Sequence, residues 1–310
     1  MIYPDTFEKK VGFDAVRRAV AEACASAMGR EEVEAMNFMC DYESVSLNLR
    51  QTAEMLALTT GDSEFQLGAI HDLRAALRGI RVQGAFMPAQ DLMQLRTVLD
   101  TASSLYSFFA SRRDDEGRSS LPALDTIACD IIPMPEVARA IDRLLDRWGN
   151  VRDTASPELA DIRRSLASMN GVIAGAMRRV MARAVQEGWV EPDVTPAVRD
   201  GRLVVPVAPA NKRRIAGIVH DESASGKTVF IEPAEIVEAN NRLRELQMRE
   251  RREVTRLLIA MADTLRPDAE AMLGNLALLG RMDFVHAKAA YALSIEATMP
   301  ALAEGPEMEW

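Results

Sequence analysis

The chain has 310 residues, 48% apolar, 27% charged and 5% aromatic, which is ample material for a buried core. Its 37 basic and 46 acidic side chains leave a formal charge of −9, which argues against an indiscriminate nucleic-acid binder. No run of about 18 apolar residues exists, so a membrane span is excluded.

The start, MIYPDTFEKK, has no apolar segment and no cleavage site, so no secretory signal is expected. Cys24, Cys40 and Cys129 are an odd number without C-x-x-C spacing, which points to free thiols in a reducing cytoplasm. Phe13, Val16, Val20 and Ala23 recur at helical spacing, with Gly29 as the expected stop. A second helix is expected over 43–59, ending at Gly61, and a third over 88–111 with Leu92, Leu95, Val98, Leu99, Ala102 and Leu105 on one stripe. SRRDDEGRSS (111–120) reads as an exposed connection, and a further helix runs from Pro135 to about Trp148.

The middle of the chain changes character. Ser156-Pro157-Glu158 is a helix start: a hydroxyl cap, a proline in the first turn and an acid near the positive end of the dipole. Leu159, Ile162, Leu166, Met169, Ile173, Ala176 and Val180 then step by three and four, a heptad seam sustained to Gly188 over roughly 46 Å. A second seam follows Pro233 with Ile236, Ala239, Leu243 and Leu246, and resumes with Val254, Leu257 and Met261 before Pro267. Between them, prolines at 192, 196, 206, 209 and 233 forbid a long helix. RLVVPV (202–207), RRIAGIVH (213–220) and KTVFIE (227–232) read as short strands, the first an edge strand because of Pro206. The expected fold is mainly α, with two long antiparallel helices carrying a small sheet. Periodicity leaves open whether that sheet projects from the helices or packs against them.

Ser225-Gly226-Lys227-Thr228 looks like the end of a phosphate-binding loop, but Asp221 stands where that loop needs a glycine, and Val229-Phe230-Ile231 is a strand pattern where it needs a helix. A tight turn between strands is the better reading. His220-Asp221 has only His71 and His286 as further histidines, so a hydrogen-bonding role at a turn is expected rather than a metal site. No nucleophile–base spacing stands out, and no catalysis is expected of this chain.

Charge becomes informative when resolved by segment. Residues 162–256 hold 17 basic and 12 acidic side chains, net +5, which leaves −14 for the remainder. Arg163, Arg164, Arg178, Arg179 and Arg183 occupy a stretch without an acid, and Arg249, Arg251 and Arg252 interrupt the second seam. Pairing with Glu245, Glu250 and Glu253 is the expected fate of the helix arginines. Lys212-Arg213-Arg214 has no acid within several residues and lies close in sequence to Arg202 and Lys227. These five are the expected phosphate contacts, giving affinity and salt dependence without sequence readout.

GRLVVPVAPANKRRIAGIVHDESASGKTVFIEP (201–233) resembles the G-R-x-V-I-P-V … G-I-V-H-D-x-S-x-S-G-x-T-x-F-I-E-P signature of the MutS-II branch of bacterial MutS proteins. ASPELADIRRSL (155–166) and LGRMDFVHAKAAYA (279–292) are similar to two further segments of that branch, and the likeness runs from about Phe7 to Pro300. The resemblance implies a helical core and lever over 1–187 and 234–310, with a clamp at 188–233 inserted between two long helices. It implies a longer cytoplasmic, homodimeric ATPase, of which this chain, stopping at Trp310, is expected to be a fragment. ATP and magnesium would then belong to a separate ATPase domain, and any nuclease activity to a further one. Branched or duplex DNA, or the rRNA of collided ribosomes, are the implied partners, with a protein-contacting scaffold as the alternative. Phe7-Glu8 lacks the spacing and domain of a mismatch-reading wedge, so mismatch recognition is disfavoured.

Overall fold

A computed structural model describes residues 6–61 and 65–303. Met1–Asp5 of the opening segment and the expected stop at Trp310 lie outside the described residues. In chain order the elements are α1 (Phe7–Lys10), α2 (Phe13–Ala23), α3 (Ala27–Glu34), α4 (Tyr42–Thr60), α5 (Arg74–Gly79), α6 (Ala89–Ala110), α7 (Pro122–Ala128), α8 (Pro135–Leu144), α9 (Pro157–Gln186), β1 (Ala197–Arg199), β2 (Arg202–Val207), β3 (Gly217–Glu222), β4 (Val229–Pro233), α10 (Ala234–Leu265) and α11 (Ala269–Ser294). The fold is mainly α with a small antiparallel sheet, as the sequence leads one to expect. Two compact units divide the chain: Met1–Asn150 with Leu258–Trp310, and Val151–Leu257.

The first unit is organised around α11, which is apolar on most sides and buries Met272, Leu276, Leu279, Met282 and Val285. Its Asp283 is fully buried and accepts hydrogen bonds from Ala25 N (3.0 Å), Ser26 N (2.7 Å) and Ser26 Oγ (2.6 Å), while Ser26 Oγ accepts from Gly29 N and so caps α3. Gly29 is therefore not a helix stop. It lies inside α3, pressed so closely on the Asp283 carboxylate that a Cβ would collide with it, and α2 ends earlier, at Ala23. Glu54 of α4 performs a similar service for α7, accepting from Ala123 N (3.0 Å) and Leu124 N (2.8 Å), two of the free amides of its first turn. The helix expected to reach Trp148 stops at Leu144. Leu145 turns extended, and Asp146 Oδ1 accepts from Trp148 N and Asn150 N (2.9 Å each), winding those residues into a turn that leaves Trp148 exposed.

The second unit begins with the expected cap: Ser156 Oγ accepts from Leu159 N at 3.0 Å and Pro157 opens α9. Its 30 residues extend about 45 Å. The bond from Ser156 Oγ to Glu253 (2.6 Å) and the ion pairs Arg163–Glu250 and Arg183–Glu235 (2.8 Å each) fix an antiparallel partner in the first part of α10. Ile173, Ala176, Met177, Val180 and Ala184 of α9 meet Val205, Val207, Val229 and Ile231 of the sheet and Ile236 and Leu243 of α10. The sheet thus packs on the later half of α9 rather than hanging free of it. Along α10 the seam holds through Leu246. Farther on, Val254, Leu257 and Met261 are only half-buried, and from Leu258, where the helix passes to the first unit, Leu258, Ala262 and Leu265 are buried instead.

The strands run in the order β1-β2-β4-β3, all antiparallel. β2 matches its expected bounds. β3 starts at Gly217, four residues late, because 212–215 form a turn, and the short β1 was not expected. Pro206 lies on an interior strand, not an edge. It is tolerated there because β1 pairs only with 202–204, so at Pro206 only β4 is a partner.

Candidate nucleic-acid interface

The register gives the sheet two distinct ends. Val207 and Glu222 both pair with Val229, so the connection leaving β2 and the hairpin turn 223–228 share one end. Arg202, Glu232 and the start of α10 lie at the other. Lys212, Arg213 and Arg214 stand on the first connection, in a turn closed by Arg214 N donating to Asn211 O (2.9 Å) and moored by Asn211 Nδ2 to Trp189 O (2.9 Å). Lys227 stands in the hairpin turn, and Lys212 Nζ reaches Glu222 Oε1 at 3.4 Å, so these two lysines come to one end. The Lys212–Glu222 pair is about half exposed on both sides and contributes little to stability. Arg213, Arg214 and Lys227 are exposed, and among the described residues none has an ion-pair partner.

Arg202 is placed elsewhere and otherwise employed. Its Nη1 donates to both Glu232 oxygens (2.7 and 3.0 Å) and its Nη2 to Asn241 Oδ1 (2.7 Å). Glu232 is fully buried and also meets His220 Nε2 (2.5 Å) and Asn240 Nδ2 (2.7 Å). Burial alone would raise its pKa, but the hydrogen bonds from Asn240, His220 and Arg202 outweigh that and hold it below the ordinary carboxylate value. The knot ties β2, β3, β4 and α10 through one carboxylate, and the Arg202 guanidinium is spent in it. His220 has the expected hydrogen-bonding role, but on β3 and beside a bulge rather than at a turn. Arg199 is a cation outside the expected set. It stacks over Phe230 (4.0 Å to the ring centroid) and pairs with Asp221 (3.4 Å). Asn240 is a second residue outside it. Its spacing, four residues after Ile236 and three before Leu243, puts an amide on the core face, and that was the available signal of a buried polar partner.

The Ser225–Thr228 stretch does not fit a nucleotide. Ser223 N donates to Thr228 O (2.8 Å), Gly226 N to Ser223 O (2.7 Å) and Thr228 N to Ser223 Oγ (3.0 Å), so these amides face inward instead of cradling a phosphate. Gly226 takes a left-handed conformation (φ 65°), and a strand, not a helix, follows. Of the eight helix arginines expected to pair, four do, with a wider set of acids: Arg163 with Glu250 and Asp153, Arg164 with Asp161, Arg183 with Glu235 and Arg249 with Glu158. Arg178, Arg179, Arg251 and Arg252 are exposed without an ion-pair partner among the described residues, and Glu245 and Glu253 pair instead with Arg242 and Arg256.

No family model matches the chain. Over 297 residues, 96% of its length, it is 35% identical to the endonuclease MutS2 of Symbiobacterium thermophilum. It is 32% identical to that of a Geobacillus species over 290 residues and 30% identical to that of Latilactobacillus sakei over 292, each 94% of the chain. The chain belongs to the MutS family. It spans 36% of the length of each of these MutS2 relatives. In this MutS-family chain the 217–233 motif has a structural task at most positions. Gly217 lies against the Glu232 carbonyl too closely for a Cβ, His220 and Glu232 form the knot, Ser223 and Gly226 shape the turn, and Val229, Phe230 and Ile231 are buried. Among the described residues no helix is long and apolar enough to cross a membrane.

Proposed function

We propose that residues 188–233 form a clamp that grips nucleic-acid phosphates, using Lys212, Arg213, Arg214 and Lys227, and that α9 and α10 are the lever on which it is carried. The observation that supports this most is the pair Arg213 and Arg214, adjacent, exposed and without a carboxylate partner among the described residues. Arg202 serves the clamp indirectly, by locking the sheet to α10 through Glu232. In a longer protein of this kind, ATP turnover elsewhere in the chain would shift the helix pair and so open or close the clamp. Its targets would be branched or duplex DNA, or ribosomal RNA, engaged by a homodimer. Catalysis is assigned to none of the residues here.

The test is a titration of the chain with branched DNA and with structured RNA across salt concentration. Alanine at Lys212, Arg213 and Arg214 together should weaken binding and flatten the salt dependence, by about 0.9 in log–log slope for each duplex phosphate no longer neutralised. A triple variant that binds as the wild type does would overturn the reading. A second reading, a clamp that contacts protein, is favoured by the edge strand β3, whose Ile218 (49% exposed) and Val219 (38%) face solvent. Nucleic-acid binding that is absent in the wild type, or unchanged in the triple variant, would favour it.

A further inference from the structure

The first unit contains a cavity of 680 Å³ that the proposed clamp does not use. Its walls are mainly apolar, with Phe7, Val11, Met36, Phe38, Leu49 and Phe284 among them. Sites for small ligands fall in the same range, roughly 300–1,000 Å³, with a few polar groups in an apolar lining. Here the notable polar group is Lys288 of α11, within the AKAAYA segment of the sequence. The chain has five lysines among its 37 basic residues, so a lysine in an apolar wall departs from its general use of arginine.

The Lys288 ammonium stands 4.6 Å from the Phe284 ring centroid and has no ion-pair partner among the described residues. Burial pushes its pKa down to about 8. The other charged groups on the wall are Glu8, Arg17 and Glu32. Glu8 is committed to Arg17, through bonds of 2.8 and 2.9 Å. An unpaired cation against apolar surface is costly, and an anion arriving there relieves the cost.

We propose that this cavity binds an amphiphilic monoanion, a long-chain carboxylate whose apolar body lies against Phe7, Met36, Phe38 and Leu49 and whose carboxylate sits on Lys288 Nζ. Phe38 (68% exposed) and Val11 (58% exposed) give it an apolar mouth. The charge lies in the wall of the recess, which favours a small molecule that can enter over a flat protein surface.

Calorimetry with the whole chain and two probes, decanoate and decanol, tests this. Decanoate should bind saturably, one per chain, and Lys288→Met should weaken it by about tenfold or more, the effect of removing a charge-assisted hydrogen bond. Decanol should bind more weakly and be indifferent to Lys288→Met. Raising the pH from about 7 to about 9.5 should weaken decanoate binding to the wild type, as Lys288 loses its proton, but not to the Lys288→Met variant. Glu32→Gln should leave that pH profile in place. Leu49→Trp, which fills the cavity without touching the charge, should block both probes. Absence of saturable binding, equal affinity for the two probes, an unaffected Lys288→Met variant, or self-association of the chain that excludes decanoate would each overturn the proposal.

Discussion

Gly29 and Asp283 show how a single side chain sets the terms for its neighbours. The Asp283 carboxylate needs a backbone without Cβ beside it, so Gly29→Ala should destabilise the chain by about 1–3 kcal/mol, as overpacking does, although alanine is the better helix former. Urea denaturation of the two proteins measures it. Glu253 gives a pH-dependent counterpart in the second unit. The hydrogen bond from Arg256 lowers its pKa, burial opposes, and Ser156 adds to the lowering, leaving it at about 2 against an ordinary value of 4.5. A depressed carboxylate stabilises the fold above its unfolded pKa and loses that contribution as pH falls through its folded one. The stability gap between wild type and Glu253→Gln should therefore be full above about pH 5 and close between about pH 4.5 and pH 2. Neither residue could be assigned its role from the sequence. A glycine inside a short helical stretch reads as a stop, and the aspartate that makes it necessary lies at the far end of the chain. For Glu253 an arginine partner was expected and Arg256 is one, but its burial and its bond from the Ser156 hydroxyl, 97 residues away, had no local signal.

At the scale of elements the sequence was most readable where the determinants are local. The heptad steps of α9, its Ser156 cap and the β-branched run of β2 are periodic or adjacent features, and the structure keeps them close to their expected bounds. β1 was missed because three residues with exposed Val198 carry no strand pattern, and they pair only because β2 offers an edge over 202–204. The basic set at 202, 212–214 and 227 was readable as charge, but not as two populations. Arg202 lies at one end of the sheet with Glu232, while Lys212 and Lys227 lie at the other. Replacing Glu232 with alanine would leave Arg202 and His220 without their shared acceptor, and removing one member of such a buried group costs about 3–5 kcal/mol. Thermal unfolding of Glu232→Ala should show that destabilisation, whereas alanine at Arg213 or Arg214, both exposed, should leave the transition within about 0.5 kcal/mol of wild type.

Across the molecule, charge is divided unevenly. Residues 162–256 carry net +5 and the rest −14, so the total of −9 understates how different the two populations are. Among the described residues, exposed cations without an ion-pair partner stand on the 208–216 connection (Arg213, Arg214) and the 223–228 turn (Lys227), and also on the helices at Arg178, Arg179, Arg251 and Arg252. All of these lie within 162–256, and in the proposed clamp a polyanion is held at the two loops while the acidic remainder repels it. Hydrogen exchange of the chain with and without branched DNA or structured RNA locates that binding surface directly. Protection confined to 208–216 and 223–228, and diminished in the Lys212, Arg213 and Arg214 triple-alanine variant, is the expected result. Protection spread over 65–150, or none at either loop under conditions where the complex forms, would contradict it.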